Sequence, residues 1–386
     1  AQDTAPLYKI GSLDVRPHAA YSLVYDDNIF LENKDKSTNQ KGNAGRDHDW
    51  ISTITPGLRL NAGDAVTRQS AFFDANYEAA IIRFANYTGS DAVDHNANLA
   101  LGGKFNRLSL NVSQSLASYS DADQHNLAAN GRVKRKLWDT KAGAAYEVSE
   151  KTTAGLDFVQ TINDYPAPFV NSTERSGNLW MDYQVLPKVK MGASAGGGYL
   201  QVDNTATFVN PNSVYENGQL RLEWQMTEKT TVKASGGIEN RHYQGQGTDK
   251  LSAIFSIGAD WRATEATTFS LSAKRGSKPS NANGNTINEE TSVTLGVKHG
   301  LMDGLSVKFD GGYQVSQYSA TTLTSIAAGS IRDDNYYFLK PGLSYRFAER
   351  AQATAFYQYR RNNSNLPANG NDFYGNQIGM EISYRF

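Results

Sequence analysis

In the stretch from Gln377 to Phe386 every second residue is apolar. Ile378, Met380, Ile382, Tyr384 and Phe386 alternate with Gln377, Gly379, Glu381, Ser383 and Arg385. Successive side chains of a strand point to opposite faces, so this spacing separates an apolar face from a polar one. The preceding stretch repeats the scheme, with Ala351, Ala353, Ala355, Tyr357 and Tyr359 against Gln352, Thr354, Gln358 and Arg360. So does the one before, with Tyr337, Leu339, Leu343, Tyr345 and Phe347 against Lys340, Ser344 and Arg346. Apolar-out, polar-in strands with aromatic ends are what a transmembrane β-barrel requires. Lipid offers no partner to a free backbone group, so the sheet has to close.

The totals agree with one large β structure. The chain has 386 residues, 34 of them Gly and 21 Tyr, 20% charged, with a net charge of −1. Mean hydropathy is −0.54, and the sequence contains no apolar run of about 18 residues to form a spanning helix. A barrel escapes that test because only every second residue faces lipid. Near-neutral charge without a basic helix gives no case for nucleic acid. The absence of cysteine removes disulfides, thiolate metal sites and cysteine nucleophiles. Ala1–Pro6 reads as a mature N-terminus left after removal of a signal peptide.

Taken in order, the chain predicts a polar periplasmic lead over 1–12 and a single barrel domain over 13–386. Leu13 to Tyr25 is a first strand. Residues 26–48 form a long hydrophilic loop with no core-forming pattern. A second strand follows near Trp50–Leu60, where Pro56 suggests a bulge or the edge of pairing. From there a hairpin unit of roughly 40 residues recurs, two spanning strands with their connections. Tight turns at Asn106, Glu150, Pro187, Glu228, Thr264, Asp303 and Glu349, with a looser Ala62–Arg68 connection, alternate with long polar loops. That asymmetry belongs to a barrel with short periplasmic turns and long extracellular loops, and it yields about 18 antiparallel up-and-down strands. The competing fold, a β-sandwich, has strands averaging about 5–6 residues, shorter than these.

The polar face would then line a lumen wide enough for water. Candidate pore-lining residues are Arg221, Glu223, Lys233, Arg241, Asp260, Arg262 and Lys298, then Lys308, Asp310, Lys340, Arg346, Arg360, Glu381 and Arg385. Bases crowd the second half, whereas Asp74, Glu78, Asp139, Glu147, Asp157 and Asp182 lie in the first, so a transverse field is expected. Trp180, Tyr336 and Phe338 would either stack on sugars or, as the commoner case, fill gaps in the wall. With no room for a plug domain, any constriction comes from long side chains or infolded loops. Tyr384 and Phe386 would form the terminal aromatic signal read by the barrel assembly machinery.

Catalytic and metal chemistry finds little support. The six histidines, His18, His48, His95, His125, His242 and His299, are scattered, with no nucleophile elbow and no zinc-helix spacing. Asp26-Asp27-Asn28, Asp47-His48-Asp49 and Asp333-Asp334-Asn335 could meet a cation but lack the spacing of a calcium loop. No cofactor, metal or enzymatic activity is expected.

Asn335-Tyr336-Tyr337-Phe338-Leu339-Lys340-Pro341-Gly342-Leu343-Ser344-Tyr345-Arg346-Phe347, Tyr357-Gln358-Tyr359-Arg360-Arg361 and Asn376-Gln377-Ile378-Gly379, with Tyr25–Ile29 and Ile54–Leu58, resemble an outer-membrane β-barrel porin family. Members are commonly encoded with exopolysaccharide synthesis and export genes. The resemblance implies an integral outer-membrane channel for export of a polysaccharide or passage of polar solutes. Its expected partners are outer-membrane lipids, the assembly machinery and polysaccharide export components, with the oligomeric state open. A general diffusion porin, or a non-conducting anchor whose loops bind a surface partner, are the alternatives.

Overall fold

The computed structural model describes residues 8–63, 70–122, 132–167, 169–204, 211–244, 249–279, 287–319, 332–365 and 372–386. The lead at 1–7, most of the Ala62–Arg68 connection and the tips of several long loops lie outside the described residues. Nearly everything else is strand. In chain order these are β1 (Tyr8–Ile10), β2 (Leu13–Asp26), β3 (Asp49–Gly63), β4 (Phe72–Phe84), β5 (Ala92–Phe105), β6 (Leu108–Tyr119) and β7 (Arg135–Glu147). They continue as β8 (Thr152–Asp164), β9 (Ser172–Leu186), β10 (Val189–Val202), β11 (Ser213–Thr227), β12 (Thr230–Tyr243) and β13 (Asp249–Arg262). The last are β14 (Thr267–Pro279), β15 (Ile287–Met302), β16 (Leu305–Ser319), β17 (Asp333–Ala348), β18 (Ala351–Ser364) and β19 (Phe373–Arg385).

Each strand from β2 onward pairs antiparallel with the next, and β19 returns to β2, so 18 strands form a closed barrel. Followed through the registers, a line perpendicular to the strands leaves β2 and returns to it about 22 residues further along; that shear sets a strand tilt of about 40° and a radius of about 17 Å. The seam is completed by β1. It pairs with Leu13–Val15, below the part of β2 that β19 covers. Pro17 falls between the two, where a missing N–H costs nothing, and its carbonyl accepts from the Phe386 amide at 3.0 Å. Pro56 lies inside β3, paired continuously with β2; on the β4 side the ladder skips Thr55 and Pro56 without a shift of register, so the pairing is interrupted there but no bulge forms. Its ring faces outward, where the apolar face tolerates it.

The outward face is apolar and uncovered by protein: Leu220 is 73% exposed and Leu251 67%. Patches of that size on a folded chain mark contact with another phase. Aromatic side chains border it in two girdles. The upper includes Tyr25 against Trp50 at 5.3 Å and Tyr337 against Tyr359 at 6.2 Å. The lower includes Trp261 on Phe269 at 5.1 Å and Tyr384 on Phe386 at 4.9 Å. On β17 the girdles, at Tyr337 and Tyr345, are about eight residues apart, which along a tilted strand is roughly 20 Å of apolar band.

The short turns sit together at one rim and lace it. A turn carbonyl accepts an amide from the following hairpin, as Lys151 O from Gln184, Lys188 O from Gln225 and Gly304 O from Arg346, each at 2.8 Å. In three of these turns a hydroxyl recurs on both flanks, Ser149 with Thr152, Thr227 with Thr230 and Thr264 with Thr267, at 3.0 Å. At the other rim the first loop departs from expectation. Residues 27–48 are folded into the mouth, and Ile29, Phe30 and Leu31 are buried. Ile29 and Phe30 pack on Phe84, Ile51, Ile82 and Tyr87, and Leu31 on Phe373 and Tyr336. Those inward side chains of β3, β4, β17 and β19 give the loop a core that no local pattern announces. Leu31 accepts a left-handed backbone (φ 53°) to reach it.

Candidate functional site

Residues paired across neighbouring strands share a face, so the registers carry one face round the barrel. Arg221 pairs with Gly192 and Ser235, Lys233 with Glu223 and Gly258, and Asp260 with Thr231 and Ser270. The same face bounds a cavity of about 470 Å³ whose walls include Asp157, Asp182, Arg221, Lys233, Ser256 and Ser272. All the candidate charges from Arg221 to Arg385 fall on it. Tyr384 and Phe386 fall on the other, in the lower girdle.

These charges have three kinds of surroundings. Some are paired in the open wall: Arg221 with Asp182 at 3.1 Å, Lys233 with Glu223 at 3.7 Å and Lys308 with Asp310 at 2.8 Å. Others are held near the turn rim, Arg262 by the Glu228 carbonyl at 3.4 Å and Arg346 by Asp303 at 3.8 Å, with Arg385 opposite His18. Two are more enclosed, Arg241 buried and Arg360 half-buried. Arg241 contacts Glu239 at 3.0 Å, Ser213 at 3.1 Å and the ring of Tyr215 at 4.2 Å. Arg360 holds Asp26 at 2.7 Å and the Asn28 carbonyl at 3.2 Å. Lys298 faces Lys308 across the ladder, Lys340 lies over the Phe356 ring at 4.4 Å, and Glu381 lies between Ser22 and Thr354.

The wall is polarised. Glu78, Asp139, Asp157 and Asp182 stand on β4 to β9, and Arg221, Lys233, Lys274, Lys298, Lys308 and Lys340 on β11 to β17. Lys141 on β7 and Lys190 on β10 soften the division. Large inward side chains lie flat against the wall over glycines. A Cβ on Gly155 would come within 2.3 Å of the Trp180 ring, on Gly312 within 2.5 Å of Phe338, and on Gly379 within 2.8 Å of Phe356. Arg221 lies over the Trp180 ring at 4.7 Å. The aromatics therefore serve as wall, and the glycines that receive them keep the bore from being blocked. Sequence reading missed those glycines because each faces a partner on a neighbouring strand.

At the mouth, carboxylates build the loop. Asn28 bonds the Glu32 carbonyl at 3.0 Å and the Tyr374 carbonyl at 2.9 Å, and its amide donates to Asp26 at 2.9 Å. Asp49 accepts from the amides of Asn86 and Tyr87, at 2.8 and 2.9 Å. Asp47, fully buried, takes the Gln40 amide at 3.1 Å and the Tyr87 hydroxyl, while its own amide donates to Glu32 at 2.8 Å. Lys36 reaches both Glu32 and Asp47. Burial and the hydrogen bond with Asp47 push the Glu32 carboxyl above the ordinary glutamate range. Burial also works against charge on Asp47, but hydrogen bonds from Glu32, Tyr87 and Gln40 outweigh it and hold Asp47 low. The three acidic triplets are thus engaged in holding chain; Asp334 in turn binds Arg332 at 2.9 Å. Among the described residues no group of three metal-ligating side chains converges.

Comparison with known proteins places this architecture. A profile of the family described as "Putative beta-barrel porin 2" matches residues 169–386, more than half of the chain. No curated protein matches it. Among solved structures it is similar to the outer membrane channel DcaP of Acinetobacter baumannii, 14% identical over 99% of this chain and 100% of that one, TM-score 0.48. It is also similar to OccK3 of Pseudomonas aeruginosa, 13% identical over 97% and 96%, TM-score 0.47, and to OccAB3 of Acinetobacter baumannii, 10% identical over 97% and 99%, TM-score 0.46. With its closed barrel, its lipid-facing band and its profile match, the chain belongs to the "Putative beta-barrel porin 2" family of porin-like channels and is an integral protein of the bacterial outer membrane.

Proposed function

We propose that the barrel is a water-filled channel for polar solutes whose cargo is a polysaccharide leaving the cell. The observation that carries this reading is the inward face itself. It offers hydroxyls, amides and exposed charges along the bore while its aromatics are folded into the wall. Such a surface suits a hydrated, hydroxyl-rich chain that must slide without being held strongly at any one point. The family resemblance, through its exopolysaccharide loci, supports the same cargo and the polysaccharide export components as partners. General diffusion of small solutes is the second reading, favoured by the first loop in the mouth, which narrows the passage. The two separate in a strain lacking the protein. Export predicts that polymer is still made but accumulates in the periplasm; normal release of polymer would leave only diffusion.

A further inference from the structure

The inward faces of β12 to β16 form a floor of small hydroxyl side chains with lysines around it. Across the sheet from Lys233 the register runs through Gly258, Ser272 and Thr294. The adjoining row runs from Ser235 through Ser256 and Lys274 to Ser292. Towards the turn rim, Lys298 lies directly opposite Lys308. Like charges facing each other across two strands destabilise a sheet, so this pair works against the fold. Asp310 relieves Lys308 at 2.8 Å, and Glu223 reaches Lys233 at 3.7 Å. Lys274 and Lys298 have no carboxylate partner among the described residues, and both are exposed to the lumen. Asp260, between Thr231 and Ser270, lies at one margin of this floor, and Glu290, held by Lys278 at 2.7 Å, at another. Among the described residues, cations therefore exceed anions on this wall.

We propose that this trough binds an extended anionic saccharide, with carboxylates on Lys274 and Lys298 and sugar hydroxyls on the serine floor. The proposal deepens the channel reading and rests on it for the route of the cargo. Size favours an oligomer over a small dicarboxylate. Lys274 pairs with Ser292, and from Ser292 to Lys298 is about 20 Å of strand, the length of several sugar units. Composition favours an acidic sugar over a neutral one, which would leave Lys274 and Lys298 without a counter-charge. The lysines are water-exposed, so binding is weak, salt-sensitive and compatible with movement along the bore.

The test is calorimetric titration of the folded, detergent-solubilised barrel with tetragalacturonate and with maltotetraose, a neutral sugar of the same length. Tetragalacturonate is expected to bind, with affinity that falls as salt rises, and maltotetraose is expected not to. The Lys274→Gln/Lys298→Gln variant should lose about tenfold in affinity, whereas Lys274→Arg/Lys298→Arg should retain binding. A matched charge removal on the opposite wall, Lys104→Gln/Lys141→Gln, should leave it near wild type. Equal binding of the neutral sugar, unchanged affinity in the first variant, or equal loss in the control would overturn the trough. Binding is read without ion flow, so the two readings fail separately. A barrel that conducts but does not bind defeats the trough, and one that binds but does not conduct defeats the channel.

Discussion

Arg360 is the residue on which the mouth most depends. From β18 it holds Asp26, at the end of β2, and the carbonyl of Asn28 inside the first loop. It thereby ties the infolded loop to the closing seam. Asp26 is 3% exposed, so removing Arg360 leaves a buried carboxylate held by neutral donors, the Asn28 amide and the Gln377 side chain, with its cationic partner gone. Arg360→Ala should lower the local opening free energy of residues 26–32 by about 3 kcal/mol, read as faster amide exchange there with the far rim unchanged. Arg360→Lys should recover only part, because an ammonium cannot reproduce the planar fork. Glu32 and Asp47 add a pH dependence. Glu32, raised above 4.5, supports docking when protonated, and that support fades as pH rises through its folded value. Asp47, held below 3.8, supports docking when ionised, and that support is lost as pH falls through its folded value. Loop protection, corrected for intrinsic exchange, should therefore peak in an interval that includes 3.8 to 4.5 and decline toward neutrality. Glu32→Gln keeps a neutral donor and should flatten the decline on the alkaline side. A loop whose protection rises steadily to pH 7 in the wild type would contradict this.

Among the elements, strands were far easier to read than the first loop. Alternation is local: Leu220, Leu222 and Trp224 against Arg221, Glu223 and Gln225 assign both faces of β11 without knowledge of its neighbours. Turn chemistry is local too, as the flanking hydroxyls of Thr227 and Thr230 show. The face assignment has a direct energetic consequence. Leu220→Arg, in the middle of the apolar band, should destabilise the barrel in lipid vesicles by about 3 kcal/mol in denaturant titration, whereas Thr227→Arg at the turn should cost much less. The first loop reads as solvated because charged and polar side chains make up most of it. The signal that could have corrected that reading was Ile29-Phe30-Leu31, three apolar residues together in a polar stretch. Their partners Phe84, Tyr336 and Phe373 belong to distant strands, and no window along the sequence brings them together. Inward glycines escaped notice for the same reason. Gly155 and Gly312 have meaning only beside Trp180 and Phe338.

At the scale of the whole molecule, the barrel sorts one chain between two solvents. The outward face meets lipid between two aromatic girdles, and the inward face carries an excess of acids on one wall and of bases on the other. The strand count and the closure of β19 on β2 were legible because each hairpin repeats the same grammar. The shear, the laced turn rim and the infolded mouth were not, since they arise from registers between strands. The central claim is that one face of every strand lines a water-filled bore while the other lies in lipid. Because the chain has no cysteine, single cysteines report on it without background. Cysteines placed one at a time from Phe255 to Trp261 on β13 can be reacted with a charged, membrane-impermeant thiol reagent in the outer membrane. The account predicts a period of two, with labelling at 256, 258 and 260 and protection at 255, 257 and 259. Labelling of both sets, or of neither, would contradict it.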